Sequence, residues 1–176
     1  MVVYTDSIEL GGPLNGLLSI HLLYPTEATF ILACDLPNMS AIVLKTLFEN
    51  YKNDIQKEAW VFVNGKEAEP LCDIYSPQAF AKILALYNTQ QLPKHSMKYT
   101  LDHLTVSLLP LSSNWEHYFK NFNSKNDFWN YGINTGNRIT FFEIIKELLG
   151  LFCILGIEKT PSSAVKSYPT GINKYA

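Results

Sequence analysis

One histidine and one cysteine near the N-terminus are candidates for a nucleophilic pair. Residues 17–24 and 29–36 each have the composition of an apolar strand, and the link between them is short enough for a hairpin. In that hairpin His21 lies diagonally across from Cys34, and a thiol beside an imidazole can lose its proton and attack an electrophile. A buried structural cysteine explains the same pattern. We therefore name His21 and Cys34 as candidates and assign no catalytic residue.

The histidines and cysteines are too scattered for a metal site. No two histidines have the short spacing by which one element presents two ligands, and no two cysteines form a Cys-x-x-Cys pair. The sequence thus predicts no metal site, no cofactor and no disulfide framework, and reduced thiols favour a cytoplasmic location. The residues concerned are His21, His95, His103, His117, Cys34, Cys72 and Cys153.

Two glycine-rich segments raise the question of phosphate binding. A phosphate-binding loop follows a strand and opens a helix, whose first N–H groups face the anion. The first segment, residues 11–16, precedes a predicted strand and therefore does not qualify. The second, residues 132–136, precedes a predicted helix and is followed by Arg138, the only arginine in the chain. Arg138 is thus a candidate anion ligand, although a simple turn of Gly and Asn accounts for the same spacing.

An aromatic segment over residues 115–131 is a candidate interface. Seven aromatic side chains occur there, interleaved with asparagine. Tryptophan and tyrosine are enriched where proteins bind one another, and so dense a group exceeds one helix face. Dense core packing, a sugar-stacking surface and a surface for single-stranded nucleic acid are the alternatives. The candidate interface residues are Trp115, Tyr118, Phe119, Phe122, Phe128, Trp129 and Tyr131.

The composition limits the classes of function. The chain has 176 residues, of which 47% are hydrophobic and 17% charged, so burial can offset the entropy of ordering it. Its net charge of −2, with lysine for all basic residues but one, argues against nucleic acid and anionic membranes as partners. The longest apolar run, residues 148–157, is shorter than the roughly 20 residues of a membrane span. The first residues lack the pattern of a signal peptide.

Local patterns predict an α+β fold in which helices pack on an antiparallel or mixed sheet built from hairpins, in the order ββ-α-ββ-α-β-α-α. The strongest single element is the amphipathic helix 41–58, and Pro70 indicates an edge strand. We expect one domain over residues 1–157 and a polar tail over residues 158–176. The predicted strands are 17–24, 29–36, 60–63, 66–71 and 97–109, and the predicted helices are 41–58, 76–89, 115–122 and 139–157.

These patterns favour a small non-enzymatic adaptor or accessory subunit that binds another protein or a second copy of itself. The predicted hairpin, the aromatic segment and the apolar last helix together offer more apolar surface than one core of this size needs, and exposed apolar patches mark interfaces. The alternative is an enzyme or small-ligand-binding protein with an apolar pocket and a Cys/His pair. A secreted or virus-encoded β-rich binder is opposed by the absent signal peptide and the unpaired cysteines.

Overall fold

Helical and extended segments alternate along the chain in a computed structural model that describes residues 2–4, 7–8, 10–33, 35–122, 152–155 and 165–167. The predicted α+β class with a mixed sheet is confirmed. In chain order the elements are β1 (Val2–Tyr4), α1 (Pro13–Leu23), β2 (Thr29–Leu32), α2 (Ala41–Asn53), β3 (Ala59–Asn64), β4 (Glu67–Tyr75), α3 (Pro77–Asn88), α4 (Met97–Leu101), β5 (Val106–Pro110), a 3₁₀ helix (Ser113–Phe119), β6 (Phe152–Leu155) and β7 (Val165–Ser167).

The strands form one sheet in the order β1-β7-β6-β2-β4-β3-β5. Strand β2 is parallel to β6 and antiparallel to β4, while β3 is antiparallel to β4 and parallel to β5. Strands β2, β3, β5 and β6 therefore point the same way. Their ends meet along one side of the sheet, which we call the carboxyl edge.

Successive side chains of each strand alternate between the two faces of the sheet, and each face is covered by different helices. On one face Ile31 and Val61 pack with α1, α3 and α4. On the other face Trp60 and Phe62 pack with α2 and the 3₁₀ helix. The result is a central sheet between two helical layers, which we call the α1 face and the α2 face.

The predicted strand over residues 17–24 is wrong, and the hairpin built on it is absent. These residues belong to α1, which begins with Gly12 as its N-cap and Pro13 in its first turn. A helix buried on most of its sides has no polar stripe, so its sequence resembles an apolar strand. The buried residues of α1 are Leu14, Gly16, Leu17, Leu18, Ser19, Ile20 and His21.

Most central elements agree with the sequence patterns. Helix α3 and the hairpin of β3 and β4 are confirmed, and so is α2, although it ends at Asn53 rather than at residue 58. The hydroxyl of Ser76 caps α3 by accepting the N–H of Ala79 at 3.2 Å, and the hairpin turns at Gly65 with φ 61°. The predicted strand 97–109 is wrong in its first half, because Ser96 caps the short helix α4 and the strand begins only at Val106.

Pro70 lies in an interior strand, contrary to the expected edge. Strand β4 sits between β2 and β3, but its register with β3 shifts between Val61 and Val63. Pro70 falls in that irregular stretch. It also precedes Cys72, the first residue of β4 that pairs with β2. A proline that lacks an N–H is tolerated at such a bulge.

The described residues within the predicted helix 139–157 form a strand and not a helix. Residues Phe152–Leu155 form a strand that pairs with β2 in parallel, and the other residues of that predicted helix lie outside the described residues. Strand β7 lies within residues 158–176 and pairs with β1. The domain boundary after residue 157 stays a prediction. None of the helices in the described residues has the length and apolar character that a bilayer crossing requires.

Candidate functional site

Residues 10–13 at the start of α1 form a glycine loop in which Gly11 and Gly12 are exposed. Gly12 is the N-cap with φ 77° and ψ −168°, a backbone conformation that is essentially restricted to glycine. Asn15 holds the loop in place, because its Oδ1 accepts the N–H of Leu10 at 3.4 Å and its own N–H donates to the Gly12 carbonyl at 3.2 Å. The sequence therefore places glycine where this helix start requires it.

The glycine loop offers unshielded backbone groups to a ligand. A Cβ built on Gly11 or Gly12 would meet nothing within 4 Å, so the space beside the loop is open. No side chain caps α1, and its first turn contains no acidic residue. The first N–H groups of a helix have no partner within the helix and carry partial positive charge. The start of α1 can therefore accept an anion such as a phosphate.

A half-buried carboxylate, Asp35, follows the end of β2. The last sheet contact before it is the bond from the N–H of Ala33 to the carbonyl of Leu71, at 2.8 Å. The chain then turns, with the N–H of Leu36 bonded to the carbonyl of Ala33 at 3.3 Å. The carbonyl of Asp35 itself accepts the N–H of Phe122 at 2.9 Å. Asp35 is thus fixed at the carboxyl edge.

The glycine loop and Asp35 lie at the same edge of the sheet. Helix α1 runs into β2 through the short turn at residues 24–28, and both elements pack in one apolar cluster. The end of α1 therefore adjoins the start of β2, and the start of α1 lies toward the end of β2. Ligands of open α/β sheets bind outside the carboxyl ends of the strands. An anion-binding helix start and a carboxylate at this edge suit a polyphosphate that carries a divalent cation.

An open groove of about 700 Å³ lies on the α1 face beside β3 and β5. Its floor includes Val63 and Val106, and three lysines line it: Lys66, Lys94 and Lys98. The ammonium group of Lys98 pairs with Glu67, and that of Lys94 lies 5.8 Å from the centroid of the Tyr99 ring. The groove thus combines an apolar floor with walls that carry both charges, because Glu67 and Asp102 also line it.

His21 lies in a helix and not in the predicted hairpin that would place it beside Cys34. His21 is buried in α1, 5.8 Å from the ring of Phe80, and burial lowers the pKa of its imidazole. Cys34 lies outside the described residues. Ser19, on the same helix, bonds to the backbone of Ser7 and Asn15 at 2.9 Å and so fastens the segment before α1. No adjacent strands bring the pair together, and its catalytic role stays a prediction.

The aromatic candidates divide between the core and the undescribed part of the chain. Phe119 and Phe122 are buried, and Trp115 and Tyr118 are half-buried against the α2-face cluster. Phe128, Trp129, Tyr131 and Arg138 lie outside the described residues. Their roles as interface and anion ligands stay predictions.

Asp73 is a buried carboxyl group that the sequence patterns did not single out. It lies in the middle of β4, opposite Ile31 and Val61, and it is fully buried. Tyr75 donates its hydroxyl to Asp73 Oδ2 at 3.4 Å. Burial raises the pKa of Asp73 well above its ordinary value, so the group is held toward its neutral form.

The sequence patterns also missed Asp35 and excluded the glycine loop. A strand predicted after the loop excludes it as a phosphate-binding loop, but the structure places a helix there instead. The usable pattern was a glycine pair followed by proline, which is typical of a helix start. For Asp35 the usable pattern was a single carboxylate directly after an apolar strand.

Comparison with known proteins gives a family match. The model of the MobA-like NTP transferase domain family matches residues 1–104, which contain the glycine loop and Asp35. No curated protein matches the chain.

Two solved structures share the fold. Molybdopterin-guanine dinucleotide biosynthesis protein A from Archaeoglobus fulgidus is 17% identical, with a TM-score of 0.54 over 69% of this chain and 60% of that one. A putative protein (Aq1419) from Aquifex aeolicus VF5 is 20% identical, with a TM-score of 0.55 over 68% of this chain and 60% of that one. The chain therefore spans 60% of the length of these structures.

The prediction of a non-enzymatic adaptor is wrong, because the matched family is one of NTP transferases. The alternative prediction of an enzyme or small-ligand-binding protein is better supported. Since the match covers more than half of its residues, the chain belongs to the MobA-like NTP transferase domain family.

Proposed function

We propose that this protein is a nucleotidyltransferase that binds a nucleoside triphosphate at the carboxyl edge, between the glycine loop and Asp35. One observation carries the proposal: α1 starts with an exposed glycine loop at the edge where β2 leads into a carboxylate. Family membership supports the same class of reaction.

The glycine loop supplies the phosphate contacts in this proposal. The backbone N–H groups of Gly11, Gly12 and Leu14 would donate to phosphate oxygens, because Pro13 has no N–H and that of Asn15 bonds to the Gly12 carbonyl. The helix dipole favours the negative charge there. Gly12 lets the backbone approach the anion without a side chain in the way. Because most of α1 is buried, these donors are held in place before the ligand arrives.

Asp35 would hold the divalent cation that accompanies a nucleoside triphosphate. Within the described part of the chain, no group of three or more His, Cys, Asp or Glu residues could hold a metal alone. Mg²⁺ is commonly bound through one or two carboxylates together with substrate phosphates, so a single carboxylate fits this ion. When bound, Mg²⁺ neutralises charge that builds up on the phosphate oxygens.

The reaction is a displacement at the α-phosphorus. An oxygen of the acceptor forms a bond to the α-phosphorus while the bond to the bridging β-phosphate oxygen breaks, and pyrophosphate leaves. The protein contributes mainly position and electrostatic stabilisation. The groove on the α1 face is a place for the acceptor, because its Lys66 follows the end of β3, two strand spacings or about 10 Å from β2.

The first nucleotide to test is GTP, because one structural neighbour is named for a guanine dinucleotide. We keep the cytoplasmic location within this proposal, because Cys72 is a free, buried thiol.

Isothermal titration with GTP, ATP, CTP and UTP in the presence of Mg²⁺ tests the proposal. We expect saturable binding of at least one nucleotide, and Asp35→Asn should weaken it by more than about tenfold. The control is Asp54→Asn, because Asp54 caps the end of α2 and lies at the edge of the sheet opposite the carboxyl edge. Equal affinity in wild type and Asp35→Asn would refute the assignment of Asp35, and the absence of any binding would refute the function.

A further inference from the structure

A segment from far along the chain reaches the candidate site. After β5 the N–H of Leu111 bonds to the carbonyl of Val63 at 2.8 Å, near the carboxyl edge of β3. The chain then crosses the α2 face as the 3₁₀ helix and arrives at the carbonyl of Asp35, where Phe122 donates its N–H at 2.9 Å. We call residues 111–122 the strap.

The strap contains two buried rings. Phe119 meets Phe62 edge-on, with ring centroids 5.3 Å apart. Phe122 is only 4% exposed, although the two residues before it, Lys120 and Asn121, are exposed. The side chain of Phe122 is therefore the anchor that keeps the adjacent N–H at Asp35.

The bond from Phe122 reaches Asp35 beyond the end of the regular sheet. Strand β2 ends at Leu32, and the turn that follows contains local bonds of 3.3 Å from Leu36 to Ala33 and 3.2 Å from Met39 to Leu36. Such a turn can shift unless a distant element holds it. The strap supplies that element.

We propose that Phe122 is a positioning residue for the metal and nucleotide bound at Asp35. By anchoring the strap, it fixes the backbone of Asp35 and so the direction of the carboxylate. This inference rests on the proposed function. A carboxylate held by outer contacts binds its ion more tightly because less order is lost on binding.

Binding of Mn²⁺ to the full chain in the presence of GTP, measured by electron paramagnetic resonance, tests this role. Wild type should bind the ion, and Asp35→Asn should lose that binding. Phe122→Ala should weaken Mn²⁺ affinity by about tenfold, at the lower end of the range for outer contacts of metal ligands. Phe122→Leu, which keeps a large apolar anchor, should restore affinity to within about twofold of wild type.

Phe119→Ala is the matched control. Phe119 lies in the same strap and is 9% exposed, and its ring contacts Phe62 on β3. It should lower the melting temperature about as much as Phe122→Ala while leaving Mn²⁺ affinity within about twofold of wild type. Equal losses of Mn²⁺ affinity in both alanine variants would reduce Phe122 to a structural residue. Unchanged binding in Asp35→Asn would instead refute Asp35 as the metal ligand, and the absence of Mn²⁺ binding in wild type would overturn the proposed function.

Discussion

Helices α1 and α2 cover opposite faces of one sheet, and they do so differently. In α1 seven of 11 residues are buried, whereas α2 buries only Val43, Leu44 and Leu47 of its 13 residues. Helix α1 packs against both the sheet and α3, while ten of the 13 residues of α2 are exposed or half-buried. The difference indicates a division of work: α2 covers the sheet, and α1 also fixes a glycine loop.

Two leucine substitutions test that division most strongly. Leu17→Ala in α1 and Leu47→Ala in α2 should each lower the free energy of unfolding by about 2–5 kcal/mol, because both side chains are almost fully buried. Urea denaturation measures this loss. At a temperature where both variants are folded, titration with MgGTP should show weaker binding for Leu17→Ala only. Equal binding by the two variants would end the distinction between the helices.

The glycine loop gives the next largest effect. Gly12→Ala should cost about 1–3 kcal/mol of stability, because φ 77° with ψ −168° is strained for any residue with a Cβ. It should also weaken MgGTP binding. Gly11→Ala is the control and should change stability by less than about 0.5 kcal/mol, since a Cβ there meets nothing within 4 Å. Thermal denaturation of both variants measures these changes in stability. An unchanged melting temperature in Gly12→Ala would contradict the assignment of backbone strain at Gly12.

The α1 face also buries Asp73, and this predicts a pH effect. Burial raises the pKa of Asp73 in the folded state, so its contribution to stability is complete below the ordinary Asp pKa and declines as pH rises toward the folded-state pKa. In that window wild type should lose up to about 1.4 kcal/mol per pH unit relative to Asp73→Asn. Urea denaturation across a pH series measures the slope. Superimposable pH profiles for the two proteins would rule this out.

The smallest effect is expected from an ion pair on the α1 face. Lys82 lies 3.2 Å from Glu58, but its side chain is 47% exposed, so Lys82→Ala should cost less than about 1 kcal/mol. Glu58→Gln should cost more, because the carboxylate also accepts the N–H of Thr105 at 2.6 Å. Burial alone would raise the pKa of Glu58, but Thr105 and Lys82 outweigh it and lower that pKa. Stability from Glu58 should therefore be lost as pH falls below about 4.5; denaturation at pH 3 to 7 checks it.

Local patterns were sufficient where one side of an element faces water. Helix α2 shows a regular apolar stripe, and α3 begins with the capping residue Ser76 before proline. The turn at Gly65 follows from the Asn-Gly pair. Where burial is nearly complete, as in α1, helix and strand patterns converge. A strand predicted after the glycine loop also excludes that loop as a phosphate-binding helix start.

The remaining parts of the site depend on contacts between distant residues. Asp35 stands alone in the sequence, and its bond to Phe122 joins positions 87 residues apart. The aromatic segment has more aromatic residues than one helix face needs, yet Phe119 and Phe122 are buried, and Phe119 packs in the same apolar cluster as α2. Only the assembled sheet shows which of these residues share an edge.

The pairing of β2 with β6 has a consequence for the order of folding. Phe152 lies opposite Thr29, so this parallel pair closes a loop of more than 100 residues. Such contacts form slowly, because the entropy of closing the loop is lost before the pairing is gained. During synthesis β2 remains the outer strand until β6 emerges from the ribosome. We expect the strand that leads into Asp35 to become rigid late, so that competence to bind nucleotide appears only after β6 has been synthesised.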